Sequence, residues 1–263
     1  MPSLDIVKAH AYGNDFLLAE AEHAGGRDPS ALAIAMCDRH TGIGADGLIL
    51  YRRMPDGASM TLHNPDGGRA EVSGNGVRCL AAWLTTRFDQ TGELVVRSDG
   101  GDKRLLATGR DRSRVTFRAN MGAPSDIRTR RVEADGESFD VVTLWMGNPQ
   151  CVRLGLWPTD ERFNRLGPAL ATHAEFPNGS NVEFAVVERA DRVRIRIWER
   201  GVGPTLSSGT GSCAAAVAAV VAGGAERLLD VEAPGGTQRV EWLGDTVWLT
   251  GWAELVLEGR WLL

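Results

Sequence analysis

The sequence predicts an α/β (α+β) fold with two pseudo-symmetric domains, each a mostly antiparallel sheet wrapped around a central helix. Short runs of β-branched and apolar residues, such as Val193–Trp198, alternate with turn signals along the whole chain. The pattern Ser-Gly-x-Gly occurs twice, at Ser73 and Ser208, and each copy leads into a segment containing cysteine and alanines. A repeat separated by about half of a 263-residue chain favours two domains.

The first domain is expected to comprise residues 1–119 together with residues 252–263. Asp28 followed by Pro29 is typical of a helix N-cap and first helical residue, so a helix is expected from there to about Arg39. A second helix is expected to follow Ser73 and to end near Arg87. Strands are expected at residues 4–7, 16–18, 48–51, 59–63, 94–97, 105–108 and 115–119.

The second domain is expected over residues 120–251, because the pattern begins again around Met121-Gly-Ala-Pro124. The segment Ala214–Ala225 is apolar on all sides, which predicts a buried helix, with its first turn at about residues 208–211. Another helix is expected around Thr159–Leu166. Strands are expected at residues 138–145, 182–187 and 193–198, and the chain is expected to end in hairpin-like segments at residues 238–242, 246–250 and 254–262.

Composition excludes several classes of partner. A net charge of −5 and the lack of a Lys/Arg-rich run argue against nucleic acid. The most apolar stretch is too short to span a bilayer, so no membrane partner is expected. Four widely spaced cysteines indicate reduced thiols and a cytoplasmic protein, and the five histidines show no metal-ligand spacing. The oligomeric state is left open, with a homodimer among the alternatives.

Each Ser-Gly-x-Gly pattern predicts an anion site. The first turn of a helix has free backbone N–H groups and the positive end of the helix dipole, and glycines let a carboxylate or phosphate come close. Two such helix starts suggest two halves facing one small anionic ligand. Serine is also a preferred N-cap residue, so capping alone is an alternative explanation of both serines. The glycine-rich segment Thr41–Gly47 lacks G-x-G-x-x-G spacing, and no dinucleotide site is expected there.

Segments spread over nearly the whole chain carry a family resemblance. They are Lys8-x-His-x-x-Gly-Asn-Asp-Phe16, Arg39-His-Thr-Gly-Ile-Gly-Ala-Asp-Gly47, Asn64-x-Asp-Gly67, Gly74-Asn-Gly-Val-Arg-Cys79, Gly147-Asn-Pro149, Asn181-Val182, Glu199-Arg-Gly-Val-Gly203 and Gly209-Thr-Gly211. In this order they resemble the diaminopimelate epimerases, cofactor-independent enzymes of lysine and peptidoglycan precursor synthesis. The resemblance implies an amino-acid substrate, no PLP, metal or nucleotide, and an active site in a cleft between the two halves.

The resemblance also implies a two-base mechanism. In the family, one cysteine removes the α-proton and a second cysteine returns a proton to the opposite face, while the ligand carboxylate rests on both helix starts. The matching residues here are Ser73 and Ser208, which are therefore the catalytic candidates. A serine hydroxyl ionises far less readily than a thiol and needs an adjacent base, so activity is expected to be low or absent. Pro204 replaces the usual Glu, and Gln150 replaces the usual His.

The resemblance assigns the substrate a set of polar and glycine residues. They are Asn14, Asn64, Gly74, Asn75, Asn148, Asn181, Glu199, Arg200, Gly209 and Thr210. A carboxylate, a guanidinium and several amides suit an ammonium and a carboxylate on one ligand. Three interpretations stay open: a diaminopimelate epimerase with serine bases, a diverged isomerase or lyase acting on another amino or hydroxy acid, and a ligand-binding homologue without turnover.

Overall fold

The structure is a computed structural model that describes residues 3–90 and 92–262. The chain forms two compact units, Met1–Ala119 with Gly251–Leu263, and Asn120–Thr250. The expected domain ranges include residues 1, 2, 91 and 263, which lie outside the described residues. Among the described residues, strands predominate and four α-helices are present, so the predicted fold class is confirmed.

The first unit is a closed sheet around one helix. Its helices are α1 (Pro29–Cys37) and α2 (Gly74–Phe88), and its strands are β1 (Ser3–Ala11), β2 (Asn14–Glu20), β3 (Gly47–Met54), β4 (Gly57–His63), β5 (Arg69–Ala70), β6 (Glu93–Arg97), β7 (Lys103–Asp111), β8 (Arg114–Gly122) and the end of β17 (Thr246–Leu262). Strands β1, β2, β3, β4, β6, β7, β8 and β17 pair in succession, and β17 pairs again with β1. The closed sheet buries α2 continuously from Asn75 to Thr85.

The second unit repeats this plan. Its helices are α3 (Asp160–Ala171) and α4 (Gly209–Ala222), and its strands are β9 (Ser125–Ala134), β10 (Glu137–Trp145), β11 (Pro149–Leu154), β12 (Asn181–Arg189), β13 (Arg192–Glu199), β14 (Gly203–Thr205), β15 (Leu228–Ala233), β16 (Gly236–Leu243) and the beginning of β17. Helix α4 lies in a core formed by β10, β11, β12, β13, β15 and β16. Helix α3 covers the other face of β12, where Val182 and Phe184 are buried against Phe163.

The two units share their order of strand pairings. Strands β2 and β3 are parallel and flank α1 in the chain, just as the parallel strands β11 and β12 flank α3. Likewise, the parallel pairs β4–β6 and β13–β15 flank α2 and α4. The registers match: Phe16 pairs with Gly47 in the first unit, and Gln150 pairs with Asn181 in the second. Two residues further along, Ile49 of β3 therefore corresponds to Glu183 of β12.

Several element boundaries differ from the sequence prediction. Strand β17 is continuous from Thr246 to Leu262, whereas two segments with a break near residue 251 were expected; its residues alternate between buried and partly exposed through Gly251. Helix α1 ends at Cys37, because the Asp38 carboxylate accepts hydrogen bonds from the backbone N–H groups of His40 and Thr41 and turns the chain. Helix α3 continues through Pro168 to Ala171. Strand β9, which is largely exposed and rich in arginine, was not expected.

Candidate active site

Ser73 caps the start of α2. Its backbone is extended, and its Oγ accepts a hydrogen bond from the backbone N–H of Gly76 at 3.2 Å. The side chain is partly exposed, whereas the helix that follows is buried. The predicted helix start is therefore confirmed. The hydroxyl therefore serves as the N-cap of α2. The other N–H groups of the first turn have no hydrogen-bond partner within the helix.

Two asparagines meet beside this helix start. The Nδ2 of Asn75 donates to Oδ1 of Asn14 at 3.1 Å, and Oδ1 of Asn75 accepts a short hydrogen bond from the buried guanidinium of Arg78. The Nδ2 of Asn14 donates to Oδ2 of Asp46 at 2.8 Å. The structure thus brings together Asn14 and Asn75, both predicted to bind substrate, and holds their amides in defined orientations.

A network of charged side chains holds Asn14 in place. The sequence analysis assigned no role to this network. The Arg39 guanidinium donates to Asp15 Oδ1 at 2.7 Å and to Asp46 Oδ1 at 2.8 Å. Lys8 Nζ lies 3.0 Å from Asp15 Oδ2. Burial raises the pKa of the Asp15 carboxyl, but the hydrogen bonds from Arg39 and Lys8 outweigh that effect and hold it below its usual value. In the sequence, the high density of polar residues around these positions was the signal that could have identified this network.

Asn64 lies where β4 ends and enters a turn. Its backbone N–H donates to the Gly68 carbonyl at 2.8 Å, and its own carbonyl accepts from Gly67 at 2.9 Å. Within the described part of the chain, no hydrogen bond of its side-chain amide is present. The backbone is therefore fixed while the amide remains able to bind a ligand.

Ser208 caps the start of α4 in the same way. Its Oγ accepts a hydrogen bond from the Gly211 backbone N–H at 3.2 Å and lies 3.5 Å from Oγ1 of Thr210. The serine is 7% exposed, so it is more buried than Ser73. Glycines at 209 and 211 leave the backbone of this turn uncovered by side chains.

The side chain of Glu183, on β12, lies next to Gly211 in the first turn of α4. The sequence analysis did not identify this residue. A Cβ built on Gly211 would lie 2.6 Å from Glu183 Oε1 and 3.2 Å from Ser208 Oγ. Glu183 is fully buried, and neither carboxyl oxygen has a hydrogen-bond partner among residues 3–90 and 92–262. Burial, and then the negative charge of Glu199, raise the pKa of the Glu183 carboxyl well above its usual range. The neighbours of Glu183 in the sequence are apolar, so the segment has the pattern of an ordinary buried strand. Glu183 therefore did not stand out as a candidate.

The remaining candidates of the second unit lie at the ends of neighbouring strands. Gln150 is buried and donates through Nε2 to Oδ1 of Asn148 in a short hydrogen bond. Oδ1 of Asn181 accepts from the backbone N–H of Arg200 at 2.9 Å. Glu199 Oε1 accepts from Thr205 Oγ1 at 3.2 Å.

The Arg200 side chain lies beside α3. Its Nη1 donates to the Asn178 carbonyl at 2.8 Å. Together with Trp198, Pro168 and Thr172 it lines a cavity of about 350 Å³. The guanidinium is thus held by the loop after α3, while the backbone N–H of Arg200 fixes the Asn181 side chain.

No thiol occupies either base position. Cys37, Cys79, Cys151 and Cys213 are all buried, and none of them forms a disulfide within residues 3–90 and 92–262. Burial raises the pKa of the Cys37 thiol to about 12, and burial likewise raises the pKa values of Cys79 and Cys151. A raised pKa and burial both make Cys37, Cys79 and Cys151 poor nucleophiles. Within residues 3–90 and 92–262, no group of three or more His, Cys, Asp and Glu side chains is arranged to hold a metal ion, and no helix is long and apolar enough to cross a membrane.

Comparison with known proteins identifies close relatives in sequence. The family model described as diaminopimelate epimerase matches residues 6–127 and 142–256. The diaminopimelate epimerase of Desulforudis audaxviator is 38% identical over 281 residues, covering 98% of this chain and 99% of the relative. That of Synechococcus elongatus is 38% identical over 277 residues, covering 98% of both chains.

Solved structures with low sequence identity show the same fold. A Bacillus anthracis phenazine biosynthesis protein of the PhzF family superposes with a TM-score of 0.75 at 14% identity, covering 100% of both chains. A hydroxyproline epimerase from Agrobacterium vitis, with bound trans-4-hydroxy-L-proline, superposes with a TM-score of 0.68 at 15% identity, covering 99% of this chain and 91% of that one.

Proposed function

Because the chain belongs to the diaminopimelate epimerase family, we propose that it is an isomerase that inverts the α-carbon of diaminopimelate without PLP, converting the LL to the meso form. Ser73 and Ser208 occupy the two base positions in this proposal. The observation that carries it is that each serine caps a buried helix whose first turn is glycine-rich and flanked by polar side chains. This arrangement supports a site for an amino-acid carboxylate and its α-carbon.

The proposed chemistry divides between binding and proton transfer. The free N–H groups at the helix starts, with Gly74 and Gly209, hold the carboxylate next to the reacting carbon. They also stabilise the negative charge that spreads into the carboxylate when the α-proton leaves. Asn14, Asn75 and Thr210 complete this end of the ligand. The far head group is assigned to Asn64, Asn148, Asn181, Glu199 and Arg200, as acceptors for an ammonium and donors for a carboxylate.

The serines make this proposed enzyme slow. A hydroxyl needs a neighbouring base before it can remove a proton, and each serine Oγ already accepts the hydrogen bond of a capping N–H. Ile49, which borders Gly76 in the turn that Ser73 caps, cannot act as a base. We therefore expect binding of diaminopimelate with slow exchange of its α-proton.

The direct test is deuterium incorporation at the α-carbon in D₂O. LL- and meso-diaminopimelate are incubated with the protein, exchange is followed by NMR, and stereoisomers are separated by chiral chromatography. Slow exchange with formation of the other isomer supports the proposal. Exchange of another amino or hydroxy acid in a small panel, with diaminopimelate inert, would instead establish a diverged isomerase or lyase.

A second candidate function is ligand binding without turnover. The observation that favours it is that two apolar side chains, Ile49 and Phe16, border Gly76 in the first turn after the Ser73 cap. Calorimetry that detects diaminopimelate binding, together with no α-exchange over days, would select this function. Failure to bind any amino acid would contradict both.

The cellular setting is also part of the proposal. We infer a cytoplasmic enzyme with a small-molecule substrate and no nucleic-acid partner, consistent with a net charge of −5 and with four buried cysteines that form no disulfide in the described part of the chain. A homodimer is the oligomeric state to test, and light scattering across a concentration series distinguishes it from a monomer.

A further inference from the structure

Different side chains border the first turns of the two serine-capped helices. A Cβ built on Gly76 would lie 2.9 Å from Ile49 Cδ1 and 3.5 Å from Phe16 Cε1. A Cβ built on Gly211 would lie 2.6 Å from Glu183 Oε1. Because Ile49 and Glu183 hold corresponding positions on β3 and β12, the same place is apolar in one unit and acidic in the other.

Packing does not explain the acid. Ile49 fills the corresponding space in the first unit and is fully buried. A carboxyl buried without a hydrogen-bond partner lowers stability even when it is neutral, and lowers it more when it is ionised. Glu183 is such a group, and the apolar alternative is present in the same chain. A destabilising group in this position indicates a chemical role.

The surroundings of Glu183 favour its protonated form. Glu199, at the end of β13, is the charged group whose field acts on it, and the Cys151 thiol lies on the neighbouring strand β11. Helix α4 contains Cys213 but no charged residue. Gln150, also on β11, presents a buried Oε1 without a hydrogen-bond partner in the described residues. No cation contributes to the shift of the Glu183 pKa.

We propose that Glu183 is a positioning residue that stores the proton exchanged by Ser208, so that the start of α4 is the half of the site that exchanges protons. This inference rests on the proposed epimerase function. Ser208 Oγ and Glu183 Oε1 both lie next to the place that a Cβ at residue 211 would take, and glycine at 211 allows the carboxyl to come this close to the helix start.

The proton balance depends on the state of Glu183. When Glu183 is ionised, Ser208 Oγ takes the α-proton while its own hydroxyl proton moves to the Glu183 carboxylate. The C–H electron pair remains on the α-carbon and spreads into the substrate carboxylate. When Glu183 is neutral, the transfers reverse: Ser208 protonates the carbanion and regains a proton from Glu183. Exchange should therefore become faster as pH rises through the Glu183 pKa and then level off.

The first experiment needs no substrate. In Ser208→Cys, the alkylation rate of the introduced thiol by iodoacetamide is measured as a function of pH, with and without Glu183→Gln. A thiol and an acid that share a site lose their protons in two coupled steps. We expect two inflections with Glu183 present and one, at lower pH, in Ser208→Cys/Glu183→Gln. Ser73→Cys, above Ile49, should show one inflection regardless of residue 183, and the buried native thiols should stay unreactive.

The second experiment measures α-proton exchange in D₂O against pH. Glu183→Gln should lower exchange at least about tenfold and remove the rise with pH, with unchanged diaminopimelate binding by calorimetry. Glu188→Gln is the matched control, because it makes the same change at an exposed position of the same strand. Glu183→Ile copies the first unit and should fold with an unchanged or higher Tm while losing exchange.

The outcomes separate this inference from the proposed function. Identical alkylation profiles with and without Glu183, or parental exchange in Glu183→Gln, would overturn the role of Glu183 and leave the epimerase proposal standing. Coupled alkylation profiles with a parent that binds and exchanges no amino acid would support the Glu183–Ser208 coupling and overturn the epimerase proposal.

Discussion

Two buried acids in this protein have opposite environments. Asp15 accepts hydrogen bonds from Arg39 and is ion-paired with Lys8, so these partners outweigh burial and lower its pKa. Neither Glu183 carboxyl oxygen has a hydrogen-bond partner among residues 3–90 and 92–262, and burial raises the Glu183 pKa. Ionised Asp15 therefore stabilises the fold, whereas ionisation of Glu183 should destabilise it.

Stability should respond to pH through Glu183. The folded state holds the Glu183 proton more tightly than the unfolded state, whose carboxyl titrates near its usual value of about 4.3. The free energy of unfolding should therefore fall as pH rises from that value to the folded pKa. Urea unfolding from pH 4 to 9 should show this decline in the parent and a smaller one in Glu183→Gln. Parallel curves for the two proteins would contradict the buried neutral acid.

Asp15→Asn should weaken both the fold and ligand binding. Lys8 and Arg39 would lose their shared anion, which should lower the free energy of unfolding by about 1–3 kcal/mol. The orientation of Asn14 depends on the same network, so diaminopimelate binding measured by calorimetry should weaken as well. The Asp15 contribution should be present above its unfolded pKa and be lost as pH falls through the lower folded value.

Asp5→Asn is the control for Asp15→Asn, because Asp5 forms an ion pair with Arg260 in which both side chains are at least 70% exposed. Such pairs contribute little. Its stability and its affinity for diaminopimelate should match those of the parent. An equal loss in the two variants would show that removal of any carboxylate from this unit suffices.

At the level of elements, the helix caps contribute stability independently of chemistry. Ser73→Ala and Ser208→Ala each remove a cap hydrogen bond and should lower the free energy of unfolding by about 1 kcal/mol. Thr159, which caps α3 through the Arg162 N–H, is the matched control. Thr159→Ala should cost a similar amount in urea unfolding but leave α-exchange unchanged. Exchange that survives in Ser208→Ala would exclude this serine as a base.

The elements differ in how far sequence could predict them. Helix α4 was predictable because its alanine-rich segment has no polar face, and both caps were predictable from Ser-Gly-x-Gly. Strand β9 was not, because its exposed arginine-rich face lacks the alternation of a half-buried strand. The continuity of β17 was not either, because Gly251 in the sequence resembles a turn residue although the strand continues through it.

The same limit applies to the candidate site. Ser73, Ser208 and the asparagines carry motif signals, so their residue types and spacing identify them. Glu183 has no such signal, because its significance depends on which face of β12 meets α4 and on the absence of a Cβ at Gly211. Arg200 was identifiable in sequence, but the contact of its guanidinium with the Asn178 carbonyl depends on the loop after α3. Local pattern does not encode these tertiary contacts.

At the scale of the whole molecule, the duplicated units have diverged where chemistry is expected. Both retain a serine cap over a closed-sheet helix, with corresponding strand registers. The first unit has Phe16 and Ile49 beside its helix start, whereas the second has Gln150 and Glu183 at the corresponding positions. The duplicated scaffold therefore has two helix starts that are bordered by chemically different side chains.

Restoring thiols at both base positions tests whether the remaining scaffold is competent. Inversion needs an acid and a base in the same turnover, and the two base positions belong to different units, so one thiol alone can promote exchange without full inversion. A thiol has a usual pKa of about 8.5, and the N-terminus of a helix lowers it further. Ser73→Cys/Ser208→Cys should therefore raise the rate of LL-to-meso conversion by roughly 10²–10⁴-fold, the range that general acid–base catalysis supplies.

Chiral chromatography of diaminopimelate measures this conversion, and each single variant should gain less than the pair. Calorimetry provides the control, because Ser→Cys at either cap should leave affinity within about threefold if the N–H groups and asparagines hold the ligand. A double variant that binds diaminopimelate as the parent does but remains inert would show that the scaffold no longer positions the α-carbon. The departures at Gln150 and Pro204 would then be the first to revert, to His and Glu, before the conversion is measured again.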